Sequence, residues 1–348
     1  MVKGSEMLRT AARWIPPAAL KRLGRPVALF FHGVVPAIAD ARIEINHHAL
    51  DSFRAIANAL KGEFQVLSLD ALDDALKRPE RHTRTVFLMA DDGYANTLSV
   101  AADVLRDLQL PWTLFVSTRH IETGEPNPLI VARLFLHFAP DGNYTIPHLR
   151  LPIRLADAQS RVQVAARVLG ELRSLPAERA RDSLAAMQAA FPCSQFERLR
   201  ARFPSERYLS WKDVETLHAR GVEIGAHAHW HWPMNESQST DELHSQAGLP
   251  KAAIASRLGR CRYFAYPFGN VGDVSEAAWR AVRDAGYSAA FTTLSGTLRE
   301  GLNPWLLPRY ALRPEEHDLP SLLPMLRFAD GRVARLAGTA SAPSRVPC

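Results

Sequence analysis

Cysteine is scarce. Cys193, Cys261 and Cys348 are odd in number, widely spaced and without a C-x-x-C pair, which argues against a disulfide framework and for a reducing compartment. No apolar run approaches the roughly 18 residues needed to cross a bilayer, and no apolar stretch followed by small residues marks a secretory leader. The expectation is a cytoplasmic protein. Also missing are a fixed-period repeat and any Lys/Arg run interleaved with aromatics, so no nucleic-acid face is expected.

The 348 residues allow one large domain, or one domain with an insertion. Hydrophobic residues make up 47% and charged residues 22%, an ordinary globular balance that excludes disorder on a large scale. The net charge of +6 comes from scattered Lys and Arg and implies a solvated basic surface with weak attraction to anions. Residues 1–26 form a basic segment in which Met7, Leu8, Ala11, Trp14 and Ile15 stand among Arg9, Arg13, Lys21, Arg22 and Arg25. The pattern suits a short helix packed on the domain, or an amphipathic one resting on an anionic inner membrane face.

Short apolar runs alternate with helical patterns from Val27 onward, which predicts βα units around a parallel sheet or barrel. The runs are Val27 to Phe31, Phe64 to Leu67, Thr85 to Met89, Trp112 to Val116, Val222 to Ile224, Tyr263 to Tyr266 and Ser288 to Phe291. Ser68 and Ser210 stand where helix N-caps belong, and Gly221 and Gly286 where helices stop. The alternation lapses at about 117–210, a Pro-punctuated then Ala/Arg-rich stretch read as a helical insertion or lid. The domain is expected to span 27–313, with a partly loose extension at 314–348.

The chemistry-bearing residues follow directly on the apolar runs. In parallel βα folds the loops leaving the strand C-termini converge on one face, where sites form. Asp91-Asp92-Gly93 ends one run with adjacent carboxylates, which repel unless a cation or a proton separates their roles. His227-Ala228-His229-Trp230-His231 ends another, and three imidazoles in five residues suit a borderline ion such as zinc. Spacing alone does not choose the pair: i, i+4 meets in a helical segment and i, i+2 in an extended one. Arg262 to Gly269 is an aromatic strand closing in a Pro/Gly turn, with an arginine able to pair with a carboxylate. His32-Gly33 places an imidazole at a strand exit, a candidate proton donor at neutral pH.

Taken together these blocks resemble the polysaccharide deacetylase family (NodB homology, carbohydrate esterase 4). Met89 to Gly93 resembles its T-F-D-D-G block, His227 to His231 its H-[S/T]-x-x-H block, and Arg262 to Gly269 its R-x-F-x-Y-P-x-G block. The resemblance implies a distorted (β/α) barrel of about seven parallel strands. It also implies a divalent metal, zinc being best suited, held by Asp92, His227 and His231. By the same resemblance Asp91 is the catalytic base held by Arg262, and the Tyr266 backbone N–H helps bind the oxyanion. The family's proton-donating His is matched by His32, in a block permuted to the front of the chain.

Two departures stand out. Ala228 replaces the Ser or Thr that braces the metal loop, and Trp232 separates His231 from the usual Pro, which leaves His229 as a substitute ligand. The implied reaction is hydrolysis of the acetamido group of an N-acetylated sugar, in a glycan or its precursor. Alternatives are a non-sugar, lipid-linked or nucleotide-linked amide as substrate, and a catalytically silent glycan binder.

Overall fold

The computed structural model describes residues 25–314 with the exception of Cys193. The basic segment at 1–26, with its expected membrane contact, and the extension at 314–348 therefore lie outside the described residues, save for their innermost positions. Among the described residues no helix is long and apolar enough to cross a membrane.

In chain order the strands are β1 (Val27–Phe31), β2 (Gly33–Val35), β3 (His47–Ala49), β4 (Gln65–Leu67), β5 (Thr85–Ala90), β6 (Thr113–Val116), β7 (Gly142–Tyr144), β8 (Ile153–Leu155), β9 (Glu223–Ala226), β10 (Tyr263–Ala265), β11 (Ala289–Phe291) and β12 (Tyr310–Ala311). The main sheet runs β11-β10-β9-β6-β5-β1-β12 with β4 also beside β5. Every pairing in it is parallel. Each residue of β5 is buried, which is why its sequence is a continuous apolar run rather than an alternating one.

The ring closes through the chain at 304–312. Leu307 N–H donates to Ala290 O at 2.9 Å and Thr292 N–H to Leu307 O at 2.8 Å. Tyr310 then pairs with Leu29 of β1. The result is the expected distorted (β/α) barrel.

The outer helices show why these segments fold as they do. Leu50–Glu63 buries Phe53, Ile56, Ala57 and Leu60, an i, i+3, i+4, i+7 stripe facing the sheet. Trp211–Ala219 begins with a reciprocal cap: Ser210 N–H donates to the Asp213 carboxylate at 2.9 Å, and Asp213 N–H donates to Ser210 Oγ at 3.3 Å. It ends before Gly221, whose φ of 88° only glycine adopts freely. Ser68 behaves differently from expectation. It heads a 3₁₀ turn without capping it, and its hydroxyl donates to Asp70 instead.

Residues 117–210 fold as helices Thr118–Thr123, Pro128–Phe138, Ala158–Arg173, Ala177–Ala189 and Gln195–Ala201, with an antiparallel β7–β8 hairpin. They gather a core of their own around Leu134, Phe135, Val168, Leu172, Met187 and Phe196. Trp230 and Trp232, from the loop after β9, are buried in that second core, whereas Ala226 and Ala228 belong to the barrel core.

Candidate metal centre

β5 delivers Asp91 and Asp92 to the barrel mouth. Asp91 N–H donates to Phe31 O at 2.9 Å, so the first carboxylate is still fixed by the sheet. Asp92 then turns with φ 77° and Gly93 with φ 89°, and a Cβ on Gly93 would stand 3.1 Å from Val116. A non-glycine residue in the left-handed region carries strain that the surroundings must support. The turn sends the two carboxylates to different partners.

Asp91 is held by Arg309, not by Arg262. The Arg309 guanidinium, fully buried, reaches Oδ1 and Oδ2 at 2.8 Å each and donates Nε–H to Thr292 O at 3.0 Å. Arg262 stands at the start of β10, the opposite end from the mouth, where it pairs with Glu223 at 3.2 Å and Asp70 at 2.6 Å. The expected role of Arg262 is thus corrected by the direction of its strand. Burial alone would push the Asp91 carboxyl up, but the Arg309 charge overrides it and holds the group below its ordinary value.

Asp92 faces the histidine loop. Its Oδ1 lies 3.2 Å from His227 Nε2 and 2.9 Å from His231 Nε2, and all three residues are buried. Despite this proximity Oδ1 makes no hydrogen bond. Burial raises the Asp92 carboxyl, yet the neighbouring imidazoles carry it well below the usual range. Burial likewise lowers His227, but the Asp91 and Asp92 carboxylates win and raise it. His227 Nδ1 lies 2.7 Å from the Ala265 carbonyl, which fixes the proton there and leaves Nε2 as the free lone pair.

His229 is not part of this cluster. Its Nδ1 lies 2.9 Å from the Thr118 hydroxyl, on the insertion side, and so it is no substitute ligand. The alternation comes from the backbone: Ala228 and His231 take φ of 58° and 51°, which folds the loop so that the i, i+4 pair meets. Several groups hold that strained shape. Gln246 Oε1 accepts from both His229 N–H and Trp230 N–H at 2.9 Å, and Ser117 Oγ donates to His227 O at 2.7 Å. Trp232, fully buried, donates Nε1–H to Leu175 O at 3.2 Å.

A cavity of about 530 Å³ opens over these groups, lined by His32, Asp91, Asp92, His227, His231 and Phe268 among others. His32 leaves β1 into this space, its ring edge-on to Phe30 at 5.6 Å. Burial pushes its imidazole down, against the pull of the two carboxylates. Tyr266 does not reach the cavity. Its N–H donates to Phe291 O at 3.0 Å and its hydroxyl to Trp305 O at 3.0 Å, so the expected oxyanion donor is spent on the sheet. The residue of that turn on the wall is Phe268, at φ 63°.

Compared with models of known families, the chain matches the one described as polysaccharide deacetylase over residues 78–290. The chain belongs to the polysaccharide deacetylase family. Among solved structures it is similar to the Streptococcus pyogenes deacetylase PplD in complex with acetate (15% identity, TM-score 0.55, 84% of this chain and 93% of that one covered). It is also similar to IcaB from Ammonifex degensii (15% identity, TM-score 0.53, 86% and 97% covered). At such identity these two likenesses speak to the fold. No curated protein sequence matches.

For this deacetylase, sequence reasoning missed Arg309, Gln246 and Ser117. Arg309 had a signal: it is the lone charge in Trp305 to Leu312, an otherwise apolar and Pro-broken stretch, and a charge in such a setting needs a buried partner. Gln246 had none, since a glutamine on a helix is ordinarily a solvated residue.

Proposed function

We propose that this deacetylase hydrolyses the acetamido group of an N-acetylated sugar with the help of a divalent ion, zinc by ligand chemistry, held by Asp92, His227 and His231. The observation that carries the reading is Asp92 Oδ1: a buried carboxylate oxygen facing two imidazole nitrogens, without a hydrogen bond, beside a second carboxylate kept ionised by an arginine. One carboxylate and two imidazoles, with a position left open, form the donor set of hydrolytic rather than structural sites. When bound, such an ion supplies Lewis acidity toward an amide oxygen and toward water.

The chain's own residues do the rest. Asp91 is aimed and ionised by Arg309, and its remaining lone pairs accept the proton of the attacking water. His32, which leaves the strand beside that of Asp91 and lines the same cavity, delivers a proton to the departing amine. Ala228 and Trp232, the two departures from the family's blocks, have structural reasons here. Gln246 takes over the bracing of the loop, and Trp232 anchors it to the insertion.

Acetate release across a panel of N-acetylated oligosaccharides, before and after chelation, tests the reading. Release that stops on chelation and returns with a divalent ion is expected. Release undiminished by chelation would overturn the role of the ion, and no release from any member would overturn the substrate class. Gln246→Leu is expected to weaken ion affinity about ten- to a hundredfold, measured by competition with an indicator dye. Unchanged affinity would show that the loop keeps its shape without that bridge.

A further inference from the structure

The same cavity is lined by three arginines. Arg133 and Arg173 line it from the insertion and Arg313 from the end of the closing strand. Arg173 is balanced, its Nη2 lying 2.6 Å from Asp273 and its guanidinium stacked 4.3 Å over Phe268. Arg133 is not. It rises from the helix Pro128–Phe138 between buried neighbours, half-buried itself, and among the described residues its guanidinium makes one hydrogen bond, a long 3.4 Å contact to Ile43 O. Arg313 is exposed at the rim and has no ion pair among the described residues.

Among the described residues none of the nearby acids forms an ion pair with Arg133 or Arg313: Glu44, buried beside Ile43, accepts from Ser205 Oγ and from the Ala39 and Asp40 N–H groups. Asp91 is taken by Arg309, and Asp92 faces the imidazoles. Glu206, the buried acid that feels the charge of Arg133, has neither carboxylate oxygen hydrogen-bonded. Burial pushes it up to about 8, so it is largely neutral at pH 7. A cavity lined by two guanidiniums without an ion pair among the described residues is a receptor for an anion, because a guanidinium with unused donors binds planar or tetrahedral oxyanions well.

We propose that the cavity takes an amino sugar bearing a phosphate ester, with Arg133 and Arg313 on the phosphate while the acetamido group lies against Asp91, Asp92, His227 and His231. The proposal rests on the hydrolytic reading above for the placement of the acetamido group. Phosphate is favoured over a single carboxylate because it offers up to two negative charges and three acceptor oxygens to two separate cations. Nucleotide-linked and lipid-linked sugars share this chemistry.

Calorimetric binding to the full-length chain, alongside acetate release, tests it with N-acetylglucosamine 1-phosphate against its neutral methyl glycoside. A nucleoside-diphosphate N-acetylglucosamine and a prenyl-phosphate-linked N-acetylglucosamine in detergent micelles separate the two sources. At least one phosphate-bearing ligand is expected to bind about tenfold more tightly than the methyl glycoside, and Arg133→Gln to remove most of that margin. Arg313→Gln, at the exposed rim, is expected to narrow the same margin and covers the case in which R133Q does not fold. Equal affinity for all ligands, or a margin unchanged in both variants, overturns the proposal. Phosphate-dependent binding without acetate release would refute the hydrolytic reading and leave the phosphate site standing.

Discussion

Asp91→Asn is expected to lower acetate release by about 10²–10⁴-fold while the chain still binds a divalent ion. Asparagine keeps the shape of the side chain and can still accept one bond from Arg309, but its amide cannot take a proton from water at neutral pH. The neighbouring Asp92 is untouched, so ion affinity separates loss of the base from loss of the centre. Turnover per bound ion is the quantity to compare. Equal turnover in D91N and the parent would remove Asp91 from the reaction.

Arg309→Met is expected to destabilise the fold by about 3–5 kcal/mol, the usual cost of stripping the partner from a buried charge. The guanidinium is fully buried, reaches both Asp91 oxygens at 2.8 Å, and lies 4.2 Å over the Phe30 ring. Methionine can occupy part of this space but leaves the carboxylate without its counter-charge. The pH dependence follows from the direction of the Asp91 shift. With a folded value depressed below the ordinary 3.8, Asp91 contributes stability above that ordinary value, and the contribution is lost as the pH falls through the depressed one. The deficit of R309M is therefore largest near neutrality and shrinks on acidification, as protonation relieves the stranded carboxylate. Urea titrations at several pH values measure this, and a pH-independent deficit would mean that packing rather than charge carries the effect. Adding D91N to R309M is expected to return part of the loss, since the two residues share one interaction.

The barrel was legible in the sequence because its interior strands are buried on both faces. A run such as Thr85 to Met89 has nothing polar to interrupt it, and β5 extends it by only one residue. The closing strand was not legible: β12 has two residues, and the chain before it contains Pro304 and Pro308 and pairs through single contacts. The cluster of Asp92 with two imidazoles was visible as residue types at strand ends, but spacing left the choice among three histidines open. Backbone angles at Ala228 and His231, which no periodicity encodes, bring His227 and His231 rather than His229 to Asp92. Arg262 and Tyr266 were misplaced for two reasons. A motif names neighbours along the chain, but a strand sends its two ends to opposite ends of the barrel, which takes Arg262 away from the mouth, while the Tyr266 N–H, at the mouth end, is bonded to Phe291 O within the sheet. The position on Asp91 is filled by Arg309, distant in sequence and brought in only when the ring closes.

The loop after β9 has its roots in two places, with Ala228 packed in the barrel and Trp230 and Trp232 packed in the insertion. His227 and His231, the imidazoles proposed to hold the ion, sit on either side of that divide. Any opening that undocks the insertion therefore spreads the ligands apart, and any ion that draws them together resists the opening. By mass action the free energy of ion capture is shared between the two cores. On the proposed reading, a bound ion would act as a fastener between the two cores as well as a reagent.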